Sequence, residues 1–257
     1  MIIGYWNLFG ACILVIGYFV EVKFIPMYIK IIKLDTVDST NDYASRIALL
    51  GAKEITVIYA NSQNSGKGRM GKAWVSVPGK GIYVSFLLRP QNSLKEIYYL
   101  PLISALATAR FLDNILDLAH KGHNKNKNQK QSRVTIKLPN DIIVNGKKIA
   151  GILVEAKTTG DKPDFVVIGI GLNVNSQKQE LPRTATSLLL ETKQRYDTEK
   201  IFPKLIKEII SVYADFKKGK INTLLEEVLA YQHGSCVEEI VKIFNKKKET
   251  EEVVHFV

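Results

Sequence analysis

Apolar and polar residues alternate along Met27–Leu34 (MYIKIIKL), an Ile-rich run that predicts a strand. The period then lengthens. Tyr43, Ala44, Ile47 and Ala48 recur at helical spacing behind Asp38-Ser39-Thr40-Asn41; Ser39 to Asp42 resembles a capping box, and Gly51 is a natural stop. Thr56–Ala60 predicts a short strand, and the polar, glycine-rich Asn61–Ala73 a loop. Strands are expected at Trp74–Val77 and Ile82–Leu88, on either side of Pro78-Gly79-Lys80-Gly81. Pro101 can open a long helix reaching about His120, with Leu102, Leu106, Ala109, Leu112 and Leu116 at helical spacing. Val134–Leu138 reads as a strand. Ile142–Val144 and Lys148–Ala156 flank Asn145-Gly146, the strongest short hairpin signal, and Phe165–Val174 reads as a further strand. Thr198–Lys217 and Ile221–Gln232 are helical, with Pro203 expected to disturb an early turn.

Hairpin-linked strands with helices between them point to an α+β fold: a mixed, mostly antiparallel sheet backed by helices, not a βαβ repeat. The 257 residues suit one large domain, or one plus a small appendage. Hydrophobic residues at 46% and charged residues at 24% exclude a mainly disordered, collagen-like or polytopic membrane chain. Cys12 and Cys236 cannot form a disulfide framework, and the absence of a Cys/His cluster at metal spacing leaves no metal site to expect.

Residues 1–26 stand apart. Ile2–Val20 contains one strongly polar residue, Asn7, and is long enough to cross a hydrocarbon layer as a helix. Three readings remain open: a membrane anchor holding the following domain in the cytoplasm, a buried helix, or upstream sequence read in frame before a true start at Met27. Lysine and arginine exceed acids to give a net charge of +11. Much of that excess lies in residues 121–148, and most of it in the apolar-free run Lys121–Arg133. No aromatic residue interleaves those lysines, so the run reads as a solvated surface insertion, and no nucleic-acid partner is expected.

Three stretches carry chemistry. Gln63–Lys72 (QNSGKGRMGK) places glycines at 66, 68 and 71 among cations at 67, 69 and 72. Such a loop can approach and cradle a phosphate, although a solvated turn reads nearly as well. It is neither a P-loop nor a dinucleotide fingerprint, since no helix is expected after it. Lys137-Leu138-Pro139-Asn140-Asp141 runs from a strand into a turn, where Lys137 is either a placed point charge or a surface lysine. Gly169–Asn175 (GIGLNVN) sets two glycines in a strand, for close approach by a ligand or for tight packing.

Read in order, DSTND, ANSQNSGKGRMGKAW, KLPNDIIVNGKKIAGILVE, GIGLNVN and ATSL resemble the catalytic domain of biotin–protein ligases over roughly residues 28–215. The resemblance implies a class II aminoacyl-tRNA-synthetase-like fold. It implies a catalytic domain at 27–217, followed at 218–257 by a helix and a short remnant of a C-terminal domain. It further implies a cytoplasmic enzyme that condenses biotin with Mg·ATP to biotinyl-5′-adenylate. The enzyme then passes biotin to one lysine of a biotin carboxyl carrier domain. Lacking a DNA-binding stretch before the domain, the chain resembles the monofunctional type.

The resemblance also assigns residues. Ser39, Thr40, Asn41 and Gln63, with the backbone near Gly66, Lys67 and Gly68, would take the ureido head of biotin, and Gly151 lies nearby. Lys67, Arg69 and Lys72 belong to the loop that closes over the adenylate phosphate. Trp74, Asn140 and Asn173 fall to the ATP side. Lys137, Arg69 and Asp141 are the catalytic candidates: Lys137 near the carboxylate and α-phosphate, Asp141 as base or metal contact. Biotin, ATP and Mg²⁺ are the implied ligands. Lys67 and Lys72 stand where the family commonly has arginine, and Leu138 where it has tryptophan. A biotin-binding protein that has lost catalysis, or a lipoate or octanoate ligase, are the alternatives. A membrane contact would run only through residues 2–20, and an exposed sheet edge would allow a homodimer.

Overall fold

The computed structural model describes residues 27–123 and 134–232, together with three short N-terminal strands. The expectations for residues 124–133 and 233–257 lie outside the described residues. The N-terminal strands are β1 (Asn7–Leu8), β2 (Ala11–Ile16) and β3 (Phe19–Phe24). They are followed by β4 (Met27–Val37), α1 (Thr40–Leu49), β5 (Thr56–Gln63) and β6 (Gly81–Leu88). Next come α2 (Leu94–Ile97), α3 (Leu100–His123), β7 (Val134–Lys137) and β8 (Asp141–Val144). The chain continues through β9 (Lys147–Thr159), β10 (Lys162–Asn173), α4 (Leu188–Thr192), α5 (Thr198–Lys217) and α6 (Ile221–Ala230).

The strands β4 to β10 form the sheet of the domain in the order β4-β5-β6-β10-β9-β8-β7, and β3, β2 and β1 extend it beyond β4. Every neighbouring pair is antiparallel except β4 and β5, whose parallel pairing is bridged by α1. The mixed, mostly antiparallel α+β architecture read from the sequence is therefore the one observed.

Alternation sorts the side chains of each strand. On β6, Ile82, Val84, Phe86 and Leu88 face the main core, which α3, α5 and α6 cover; Leu87 faces α1. On β10, Val166, Ile168, Ile170 and Leu172 face that core, while Phe165 and Val167 pack under Ala44 and Ala48 of α1. The α1 side of β10 then continues with Gly169 and Gly171. Where α1 begins, this sheet face changes from apolar residues to glycines.

Three expectations need correction. The described residues within Ile2–Val20 pair as strands and not as a spanning helix; among the described residues no helix is long and apolar enough to cross a membrane. Trp74–Val77 is not a strand: Trp74 N–H donates to Gly66 O at 2.8 Å and Val77 O accepts from the Tyr83 hydroxyl at 3.0 Å, so a loop and a side chain take these groups. Pro203 does not interrupt α5. The helix starts on the side chain of Asp197, and its buried stripe Ile201, Phe202, Leu205, Ile206, Ile209 and Ile210 holds it through the missing N–H.

Candidate active site

Where α1 stops covering the sheet, an open cleft of about 460 Å³ including its mouth lies on the strand surface. Its floor is built on β10 and β9, where Gly171 and Gly151 are direct cross-strand partners. A Cβ on Gly171 would come within 2.3 Å of the Trp74 indole, and one on Gly151 within 3.0 Å. Only glycine lets that ring lie on the strands. Lys148 Nζ stands 5.5 Å from the centroid of the indole. The indole Nε1 is buried and has no hydrogen-bond partner, a cost that a ligand acceptor could relieve.

The end of the cleft toward α1 is a closed hydrogen-bond network. Ser39 caps α1, its hydroxyl accepting from Asp42 N–H at 3.5 Å. Thr40 and Asn41 follow in the first turn and are almost fully buried. Gln63 Oε1, at the end of β5, accepts from the Thr40 N–H at 2.8 Å and lies 3.0 Å from its hydroxyl. Gln63 Nε2 donates to Ser76 Oγ at 3.0 Å. Ser85 of β6 sits 2.8 Å from Thr40 Oγ1 and 2.6 Å from Asn41 Oδ1. Asn41 Nδ2 donates to Glu155 Oε2 at 2.6 Å, and a Cβ on Gly169 would fall 2.2 Å from Asn41 Oδ1. Behind this end, Arg46 makes a two-pronged pair with Asp38 at 2.6 and 3.0 Å, which pulls the Asp38 carboxyl down to about 2.

The other end carries the cations. The segment from Gly66 to Trp74 folds back on itself: Gly68 N–H donates to Lys72 O at 2.6 Å, and Lys67 and Ala73 pair as an isolated bridge. Its apex, Met70, is exposed and has a left-handed φ of 55°. Two side-chain contacts tie this flap down. Lys67 Nζ meets Asp42 at 2.6 Å, and that carboxylate raises the ammonium above its ordinary range. Arg69 Nη1 donates to Asn140 Oδ1 at 3.2 Å. Asn140 is itself held by β9, with Nδ2 donating to Ile152 O at 2.9 Å.

Ser39, Thr40, Asn41, Gln63, Lys67 and Gly68 all line the cleft, as do Arg69, Trp74, Asn140 and Gly151. Gly66 lies buried beneath the flap, where a Cβ would meet Trp74 O at 2.6 Å. Lys72 is exposed outside the lining. Lys137 also is exposed at the end of β7 and does not line the cleft. Asn173 is buried, with its amide donating to Thr186 O at 3.0 Å, and it too lies outside the lining. Asp141 holds Lys148 at 2.7 Å. Among the described residues no group of three or more His, Cys, Asp or Glu side chains could hold a metal ion.

Lys148 is the cleft lysine that sequence reasoning passed over, and a local irregularity puts it there. Ile143 pairs with Lys148 and Ile142 with Ala150, so Ile149 is an extra residue in β9. Ile149 and Ala150 both face the core. Without that bulge, strict alternation would put Lys148 on the core side with Ala150 and Ile152; with it, Lys148 shares the cleft face with Gly151. Ser85, Glu155, Gly169 and Gly171 were likewise not singled out as individual ligand residues; Glu155 closes the KLPNDIIVNGKKIAGILVE stretch, while Ser85 carries no signal in sequence beyond its strand parity.

Residues 34–173 match the family model described as the biotin/lipoate A/B protein ligase family, more than half of the chain, and the chain belongs to that family. The bifunctional ligase/repressor BirA of Bacillus spizizenii is 32% identical over 186 residues, which cover 71% of this chain and 53% of that protein. This chain thus spans about half the length of the curated relatives it matches. Among solved structures, the biotin protein ligase from Aquifex aeolicus in complex with biotin and ATP is 28% identical, with a TM-score of 0.63 over 79% of this chain and 78% of that one. The Leishmania major biotin protein ligase in complex with biotinyl-5-AMP is 26% identical, with a TM-score of 0.60 over 79% and 81%.

Proposed function

We propose that this chain is an ATP-dependent biotin–protein ligase, acting in the cytoplasm on a lysine of a biotin carboxyl carrier domain. The observation that carries the reading is the polarity of this cleft. A closed donor–acceptor network lies beside Gly169, and two steps along β10, at Gly171, an indole is roofed by a lysine ammonium. A ureido ring needs both donors and acceptors once buried, and the network offers both. An acyl chain ending in a dithiolane needs neither, which favours biotin over lipoate.

In the first step a biotin carboxylate oxygen attacks the α-phosphorus of ATP. The P–O bond to the β-phosphate breaks, and pyrophosphate leaves. Two anions must approach, and Lys148 with Arg69 offsets their repulsion and stabilises charge on the phosphorus oxygens. We assign the central cation to Lys148, held by Asp141, in place of Lys137. Mg²⁺, bound to the nucleotide as Mg·ATP, would supply charge neutralisation at its phosphates. Trp74 offers the nucleotide base a stacking face. In the second step the acceptor amine attacks the acyl carbon, the bond to the phosphate breaks, AMP leaves and the amine loses a proton. The Gly66–Trp74 flap excludes water from the adenylate meanwhile.

The test is biotin-dependent ATP–pyrophosphate exchange, followed by transfer of labelled biotin to a purified carrier domain. Exchange with biotin and not with lipoate is expected. Absence of exchange at saturating biotin and Mg·ATP would overturn the reading.

A further inference from the structure

We propose that Glu155 is a positioning residue which, through Asn41 and Ser85, sets the direction of the hydrogen bonds around Thr40, so that Thr40 meets the ligand's head group as an acceptor. This rests on the reading of the cleft as a biotin site and deepens it.

The network runs between two groups whose direction is not free. At one end a carboxylate oxygen, Glu155 Oε2, only accepts, so the Asn41 atom 2.6 Å away must be the donating Nδ2. The carbonyl of Leu153, 3.5 Å from the same nitrogen, also only accepts and agrees. At the other end the Thr40 N–H only donates, so the Gln63 atom 2.8 Å away must be Oε1. Everything between follows. With Nδ2 turned to Glu155, Asn41 Oδ1 faces Ser85 and must take that hydroxyl's single proton at 2.6 Å. Ser85 then has no proton left for Thr40, 2.8 Å away. The Thr40 proton goes to Ser85 Oγ or to Gln63 Oε1, both of which accept. Either way the Thr40 oxygen keeps its lone pairs for the cleft.

Reversing the Asn41 amide would reverse this order. Ser85 would accept from Nδ2, its own proton would turn to Thr40, and one Thr40 lone pair would be filled before any ligand arrived. Asn41 cannot escape by shifting, because the strand of Gly169 lies against it with no room even for a Cβ. All three middle members are buried: Ser85 is fully enclosed, and Asn41 and Thr40 are 3% and 4% exposed. Water therefore cannot supply the missing donors or acceptors. The ligand group matched to the outcome is an N–H donor, as a ureido ring presents.

The experiment measures exchange against biotin and against ATP separately, with thermal midpoints recorded alongside. Glu155→Leu should raise the biotin KM about tenfold to a hundredfold, with the ATP KM and kcat within about threefold of the parent. Glu155→Gln can still turn an oxygen to Asn41 and should stay near the parent. Asn41→Asp turns an oxygen to Ser85 whichever way it lies, so combined with Glu155→Gln, which supplies the donor, it should keep the biotin KM within about fivefold of the parent. In a Ser85→Ala background no hydroxyl proton can turn to Thr40, so adding Glu155→Leu there should raise the biotin KM by no more than about threefold. A merely structural role of Glu155 would keep its full effect in that background. The proposal is overturned by a Glu155→Leu effect undiminished in Ser85→Ala, by an unchanged biotin KM in Glu155→Leu, or by an equal rise in the ATP KM. Failure of the underlying reading shows earlier and differently, as a parent enzyme that exchanges nothing with biotin, and the assignment of Glu155 then falls with it.

Discussion

The two ends of the cleft are built on opposite plans. Beside Gly169, Thr40, Asn41, Gln63 and Ser85 are engaged with one another and tied to α1, β5, β6 and β9. Around Gly171 the groups are anchored by little: a flap joined to the body by Lys67–Asp42 and Arg69–Asn140, and an indole with an unpartnered N–H. A head group that must be told from other small molecules is best met by dipoles already in place. A phosphate that arrives, reacts and departs is best met by parts that can open and close. The same sheet presents both kinds of end because its helix covers only part of one face.

Four changes would break or sharpen this contrast. The largest effect is expected from Lys148→Ala, which should lower exchange by about 10²–10³-fold, whereas Lys137→Ala should change it little. The pair of variants, assayed side by side, decides which lysine serves the phosphate. Next, Gly171→Ala puts a methyl 2.3 Å from the indole position. It should lower stability by about 1–3 kcal/mol in thermal melts and raise the ATP KM more than the biotin KM. Smaller again is Asp42→Asn, which frees Lys67. An exposed pair of this kind is worth about 1 kcal/mol or less, so release of the adenylate into solution should quicken by no more than about fivefold. Smallest is Arg46→Ala. It should let the Asp38 carboxyl, held at about 2, return toward about 3.9 in an NMR titration. Because the native value is the depressed one, this pair's contribution is complete above the unfolded value and lost as pH falls through about 2. Parent and variant should therefore converge in stability in strong acid.

Much of the fold was legible because local signals agreed with the packing. Ser39 does cap α1, Asn145-Gly146 does turn the β8–β9 hairpin, and the stripe of α3 does face the core. Trp74–Val77 has the residue types of a strand and is not one, because its backbone partners are a glycine loop and a tyrosine hydroxyl, neither of which leaves a periodic trace. The short helices α2 and α4, which start on a Ser93–Glu96 capping box and on Ser187, run for only four and five residues, too short for an apolar stripe to stand out in a sequence. In the site, the polar side chains around Thr40 were findable as a cluster of residue types. That Lys148 lines the cleft and Lys137 does not was not legible. It turns on whether β9 holds an extra residue, and no residue type advertises a bulge.

That extra residue makes the hairpin intolerant of changes in length. Side chains along β9 can be exchanged one at a time, but deleting Ile149 would restore even parity and swing Lys148 toward the aliphatic interior. Inserting a residue between Lys148 and Gly151 would disturb the same phase from the other direction. Descendants of this chain can vary the spelling of this stretch; its count of letters is the part they cannot edit.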